Sequence, residues 1–461
     1  MDELLQRLAI YSKQQGDKAA VIIDDVVYTY RDLWQSIHKV EMVNIRQSNT
    51  DNVQSVITDN ITDTITGHIE VVCAETLMPS TMVIQTKQIW LQLTQWLQCL
   101  VEGRRPILCH PDLEPSRVAL LEQTYLKGQT IPQGADFGVL SSGTTGLPKV
   151  LWRSLRSWTD FFSAQNQIFK VDEATVLFWQ GSLSFTGNLN SLLSVLYEGG
   201  TAVTSQHMSP RTWMRLSEAW QVTHWYLLPT KLRLLVGVLQ HPLQALRLIF
   251  TGSQTLDHKL LKQLQCTQPQ IEFILYYGAS ELNYITYCTA AEWLAEPNTV
   301  GYPFPGVTVT LDDTGLIYVD TPFGIEEIEL PYTVGDEGAW SETGRLCFKG
   351  RRSAMINRGG YKVSIPYLES TLLSIEGVVD GAVIGVPDEL RGEQPIAFLV
   401  PDGERPLPDI VADMAMRFTS KDRPKSIVWL KHLPLTACSK VDTKQLRSIY
   451  ETSLSKHDNN I

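Results

Sequence analysis

The segment "VLSSGTTGLPKV", residues 139–150, concentrates residue types that suit an anion. Ser141, Ser142, Gly143, Thr144, Thr145 and Gly146 favour a turn, because hydroxyls bond locally and glycine tolerates positive φ. Such a turn leaves backbone N–H groups and hydroxyls free for a ligand. Lys149 follows behind the rigid Pro148 and adds a cation. The loop is not a Walker A motif, which ends in Gly-Lys-Ser/Thr where this chain has Pro148-Lys149-Val150. Taken alone, it fits a phosphate clamp and a solvated surface turn equally. Two further small-residue turns follow, Gly252-Ser253-Gln254 and Gly278-Ala279-Ser280, the second running into Glu281.

The rest of the chain must position these turns. At 461 residues it exceeds one small core and is expected to divide into two or more domains. The net charge of −11 argues against a nucleic-acid or anionic-membrane surface. The seven cysteines (Cys73, Cys99, Cys109, Cys266, Cys288, Cys347, Cys438) form no CxxC pair, which suits reduced thiols better than disulfides or a zinc site. The first residues, "MDELLQRLAIYSKQQGDKAA", lack a signal pattern, and no apolar stretch approaches the ~20 residues of a membrane span. A cytoplasmic location is expected.

"AVIIDDVVYTYRDLWQSI" reads as two short strands around Asp24-Asp25 and then a helix, with Thr29 and Asp32 at capping-box spacing. "IWLQLTQWLQCLVEG" has helical periodicity up to Gly103, while residues 46–70 are polar and weakly patterned. From residue 139 the chain alternates strand, small-residue turn and helix, as in "THWYLLPTKLRLLVGVL", "LRLIFTGSQTLDHKLLKQL" and "IEFILYYGASE". Apolar strands alternating with helices imply a mostly parallel sheet covered on both faces, whose ligands sit beyond the carboxyl ends of the strands. All three turns fall at such ends. After residue 350, "GVVDGAVIGVPDE", "GEQPIAFLVPDG" and "LPDIVADMAMRF" suggest a small α+β domain.

From Tyr28 to about Leu446 the ordered set "SSGTTGLPK", "YYGASE", "VGD", "GR" with "RGGYKV", and "LPLTACSK" resembles the adenylate-forming superfamily of acyl-CoA ligases, peptide-synthetase adenylation domains and luciferases. The resemblance implies an α/β fold: a large N-terminal domain, residues 1–351, and a small mobile C-terminal lid, residues 352–461. It also implies roles. The 141–146 loop and Lys149 would hold the β- and γ-phosphates of ATP, and Glu281 would hold Mg²⁺. Gly252, Ser253 and Gln254 would form the adenine-side turn, with Tyr277, Gly278 and Ala279 against the base. Asp336, followed 15 residues later by Arg351, would take the ribose. Lys440 would bridge carboxylate and α-phosphate in the transition state, an ammonium delivered by lid closure. Ser280 replaces the family's usual threonine and keeps a hydroxyl. Gly359 and Gly360 would face the active site in the thiol step.

The departures bear on the second half-reaction. Phe185 stands where relatives carry a gating histidine, Arg153 lies near a position often histidine or threonine, Ala354 replaces the hinge aspartate, and Ser439 precedes the lysine where glycine is usual. "LSFTGNLNSLL" offers no acid for a substrate ammonium, so an amino acid is disfavoured. Phe185, Leu189 and Leu192 suggest an apolar pocket for a fatty or aromatic acid. The expected reaction joins a small-molecule carboxylic acid to ATP and passes the acyl group to coenzyme A. A carrier protein is the alternative acceptor, and a non-catalytic nucleotide- or acyl-adenylate-binding protein the alternative class.

Overall fold

A computed structural model describes residues 2–38, 80–126, 131–140, 149–252, 258–296, 298–352, 355–358, 361–388, 392–420, 422–436 and 441–458. The first expected hairpin forms: Ala19–Ile23 pairs antiparallel with Val26–Thr29. Asp24 and Asp25 take φ of 48° and 71°, the left-handed geometry of a tight hairpin turn. Thr29 and Asp32 then cap Tyr30–His38 reciprocally, at 2.9 Å and 3.1 Å.

Ala19–Ile23 also enters the main sheet, where Thr201–Ser205, Val176–Gln180, His224–Tyr226, Leu248–Gly252 and Glu272–Ala279 follow in parallel. Alternate residues on these strands face opposite cores. Leu177, Trp179, Leu248, Phe250, Ile274 and Tyr276 pack on one side. Phe178, Ile249, Phe273 and Leu275 pack on the other. Burial on both faces is why these strands read as continuous apolar runs.

The sheet is less parallel than the sequence pattern implies. Beyond Glu272–Ala279 it continues through the antiparallel strands Asn283–Thr289, Thr299–Pro303, Leu346–Arg351 and Asp336–Trp340. These carry no intervening long helix, so the strand–turn–helix signal does not reach them. A second sheet joins Thr81–Ile84, Arg105–Leu108, Phe137–Leu140 and Val150–Arg153.

After Arg351 the strands belong to a separate sheet. Val378–Asp388 and Gly392–Pro401 form its long hairpin, flanked by Met355–Arg358, Tyr361–Ser364 and Ser426–Trp429. Ile365–Leu373 and Leu407–Arg417 cover one face, and Leu446 and Tyr450 contribute to the core on the other. No helix among the described residues is long and apolar enough to cross a membrane.

Candidate active site

The strand Glu272–Ala279 carries "YYGA" to its carboxyl end. Its register with Asn283–Thr289 shifts between Tyr277 and Gly278. There the two backbones close so far that a Cβ on Gly278 would lie 2.6 Å from the Asn283 carbonyl, so only glycine fits. The turn closes where Leu282 N–H donates to the Ala279 carbonyl at 3.0 Å. It is then locked from outside. Arg153, with no exposed surface, donates through Nη2 to the Ser280 carbonyl at 2.7 Å and through Nη1 to the Phe323 carbonyl at 3.0 Å. Nη1 also donates to Ser157 Oγ at 3.1 Å. The Glu281 carbonyl accepts from Ile325 N–H at 2.9 Å. Burial pushes the Arg153 pKa down to about 10, opposed by the fields of Glu281 and Glu326.

Asp336 and Arg351 are cross-strand partners in the hairpin formed by Asp336–Trp340 and Leu346–Arg351. That register explains the spacing noted in the sequence. Arg351 Nε donates to Asp336 Oδ1 at 2.8 Å, and the Tyr277 hydroxyl donates to Oδ2 at 2.7 Å. The carboxylate is buried while the guanidinium is half exposed. The pair raises the Arg351 pKa, and burial, helped by Asp336, raises that of Tyr277 well above its ordinary value.

These groups line a cleft of about 1280 Å³ that also includes Phe185, Thr186, Gly187, Asn190 and Phe348. Its far wall belongs to the small domain, through Tyr367, Glu369, Asp380 and Val441. An ion pair crosses between the domains: Arg233 Nη1 lies 3.5 Å from Asp380 Oδ1. Burial pushes the Glu369 pKa up to about 7; its carboxylate accepts from Val383 N–H at 3.0 Å and feels both Asp380 and Arg233. The volume exceeds the roughly 300–1,000 Å³ of a typical small-molecule pocket, so two ligands can share it.

Of the residues singled out in the sequence, Phe185, Tyr277, Gly278, Ala279, Ser280, Glu281, Asp336 and Arg351 line this one cleft. Gly252 ends its strand beside Tyr276, and Lys149 is exposed at the start of Val150–Arg153. Residues 141–146, Ser253, Gln254, Ala354, Gly359, Gly360 and Lys440 lie outside the described residues. The apolar pocket needs correction. Leu189 and Leu192 are 1% and 0% exposed and belong to the large core, while Thr186, Gly187 and Asn190 on the same helix face the cleft. Helical spacing from Thr186 does not decide this, since Leu189 at i+3 and Asn190 at i+4 both lie beside it. The buried role of Arg153 had no local signal, because the carbonyls it holds belong to Ser280 and Phe323, far along the chain.

The two-domain α/β architecture, with a large helix-covered sheet and a smaller sheet domain, is that of adenylate-forming enzymes. The chain belongs to the AMP-binding enzymes: the profile of that family matches residues 135–351 and that of the AMP-binding enzyme C-terminal domain matches 367–440. It is 24% identical over 475 residues to a putative long chain fatty acid-CoA ligase, VraA, of Staphylococcus epidermidis, covering 97% of this chain and 98% of the relative. It is 27% identical over 333 residues, 68% of each chain, to an uncharacterised acyl–CoA ligase, YhfT, of Bacillus subtilis. Its fold is similar to that of O-succinylbenzoate coenzyme A synthetase of B. subtilis in complex with ATP and magnesium ion, with a TM-score of 0.75 at 17% identity, covering 96% and 99% of the two chains.

Proposed function

We propose that the protein activates a carboxylic acid, fatty or aromatic, with ATP, and transfers the acyl group to coenzyme A. The observation that carries this reading is the convergence on one cleft of the Tyr277–Asp336–Arg351 cluster, the Ser280–Glu281 turn and, from the small domain, Val441, the residue bonded to Lys440. In this reading Asp336 accepts from the ribose hydroxyls, Tyr277 and Arg351 hold that carboxylate in place, and the ring of Tyr277 packs on adenine. The carboxylate oxygen of the acid attacks the α-phosphorus, and the bond from that phosphorus to the pyrophosphate oxygen breaks. Lys440 offsets the repulsion between the two anions. The sulfur of coenzyme A then attacks the acyl carbon, and AMP leaves.

Mg²⁺ would be held by Glu281. No group of three or more His, Cys, Asp or Glu is placed to hold a metal among the described residues, and a single carboxylate ligand such as Glu281 suits an ion that keeps waters and substrate phosphates as its other ligands. When bound it neutralises charge on the departing pyrophosphate.

ATP–pyrophosphate exchange over a panel of acids, followed by acid- and coenzyme-A-dependent release of AMP, tests the two halves. Exchange with at least one acid and thioester formation from it are expected. ATP binding without exchange for any acid would instead make the protein a non-catalytic nucleotide binder. Exchange without thioester, relieved by a carrier protein, would replace coenzyme A as the acceptor.

A further inference from the structure

One wall of the cleft is built by the helix Thr186–Tyr197. Three of its residues, Thr186, Gly187 and Asn190, line the cleft, and Leu189, Leu192, Leu193 and Leu196 pack into the core behind it. Asn190 is 2% exposed, and neither its Nδ2 nor its Oδ1 has a hydrogen-bonding partner among the described residues. Its neighbour Asn188, turned away from this cleft, donates to the Ser182 carbonyl at 2.9 Å. A buried carboxamide with neither donor nor acceptor used is costly. Gln165 shares that state inside the core, and what sets Asn190 apart is that it lines the cleft, where a ligand can complete it.

The depth of the wall is limited as well. A Cβ at Gly187 would overlap the hydroxyl of Tyr226, so that hydroxyl fills the space beside the glycine. It is held there by the Tyr276 hydroxyl at 2.9 Å, both tyrosines being buried and Tyr276 itself lining the cleft. A hydrogen-bonded pair of hydroxyls therefore closes the wall beside Gly187 and offers an acyl chain no apolar recess there.

We infer that the acid taken by this cleft is compact and carries a hydrogen-bonding group that the side-chain amide of Asn190 reads, and that it is not a long-chain fatty acid. This rests on the acid-activating reading above and narrows its substrate. A carboxamide both donates and accepts, so a hydroxyl, amino or carbonyl substituent on a short-chain or benzoic acid satisfies it. A site built to bond a polar group rejects the analogue lacking it far more strongly than an apolar pocket rejects a missing methylene.

The test pairs each hydrocarbon acid (benzoate, butanoate, hexanoate) with its hydroxyl-, amino- and oxo-substituted analogues, and adds dodecanoate and palmitate. Pyrophosphate exchange gives kcat/KM for each, with the wild type, Asn190→Leu and Asn190→Ala. The wild type is expected to favour at least one polar acid over its hydrocarbon partner by tenfold or more, and both variants to bring that ratio close to one. Non-hydrolysable acyl-sulfamoyl adenosines bearing the same acyl groups, titrated by calorimetry, read the pocket without any turnover. If no acid supports exchange but these analogues bind with a polar preference that Asn190→Leu erases, the function falls and the inference stands. If exchange runs fastest with palmitate or dodecanoate, or the variants keep the wild-type ratios, the inference falls and the function stands.

Discussion

Arg153 Nη2 donates to the Ser280 carbonyl at 2.7 Å from a position with no exposed surface. A buried guanidinium that holds carbonyls of two separate loops makes the strand Val150–Arg153 a strut for the turn that presents Glu281. Replacing it with leucine would strand those carbonyls without donors, at a cost on the order of 3 kcal/mol. Arg153→Lys keeps the charge but cannot span the same acceptors, since lysine lacks the planar fork. We expect Arg153→Lys to lower the unfolding midpoint and to raise the Mg²⁺ concentration needed for adenylation. A lysine variant with wild-type stability and Mg²⁺ titration would show that the strut is dispensable.

Asp336 receives two bonds, from Tyr277 and Arg351, that orient its carboxylate toward the cleft. Asp336→Asn keeps the shape but removes the charge and puts an N–H where one donor must be accepted. Hydrogen bonds to charged groups contribute about 1.5–3 kcal/mol, so ATP affinity should fall by roughly 10- to 100-fold. Calorimetric titration with ATP checks it, and a dissociation constant within a factor of two of wild type would remove Asp336 from the ribose site.

Lys440→Ala should leave ATP binding nearly intact while slowing pyrophosphate exchange by about 10²-fold or more, the scale of one lost transition-state charge contact. The neighbour of Lys440 in sequence, Val441, lines the cleft. Wild-type exchange in the variant would mean that another cation does the work.

Glu369 supplies a pH dependence whose sign is fixed. Burial raises its pKa from an ordinary 4.5 to about 7, with Asp380 adding to the rise and the Val383 N–H and Arg233 opposing it. A carboxyl raised in the folded state contributes stability below its ordinary pKa, and loses that contribution as pH climbs through about 7. The unfolding midpoint of Glu369→Gln, which stays neutral, should therefore gain on the wild type between pH 5 and 8. Parallel curves across that range would show that Glu369 is not buried as a neutral acid.

Pyrophosphate exchange and thioester formation are expected to respond differently to a change at residues 352–354. Ala354→Pro would fix φ near −65° and disfavour helical values at Ser353. Residues 352–354 must absorb a large backbone change if the lid rotates between half-reactions. Exchange should persist in this variant while thioester formation falls steeply. Loss of both in parallel would make the segment a passive linker.

Local pattern was enough for most of the architecture. Continuous apolar strands, capped helices and small-residue turns are written in neighbouring residues, and the hairpin at Asp24-Asp25 and the parallel strands up to Ala279 follow from them. The Asp336–Arg351 pair was legible as a spacing because antiparallel register converts sequence separation directly into contact. Tertiary structure decided what no window contains. It set the antiparallel extension of the sheet, the capture of the Ser280 carbonyl by Arg153 and the ion pair from Arg233 to Asp380. It also chose which face of one helix meets the cleft: Leu189 is buried in the core and Asn190 lines the cleft. Composition around Phe185 suggested an apolar wall, but a helix buries the face its neighbours cover, and only the packed chain shows which face that is.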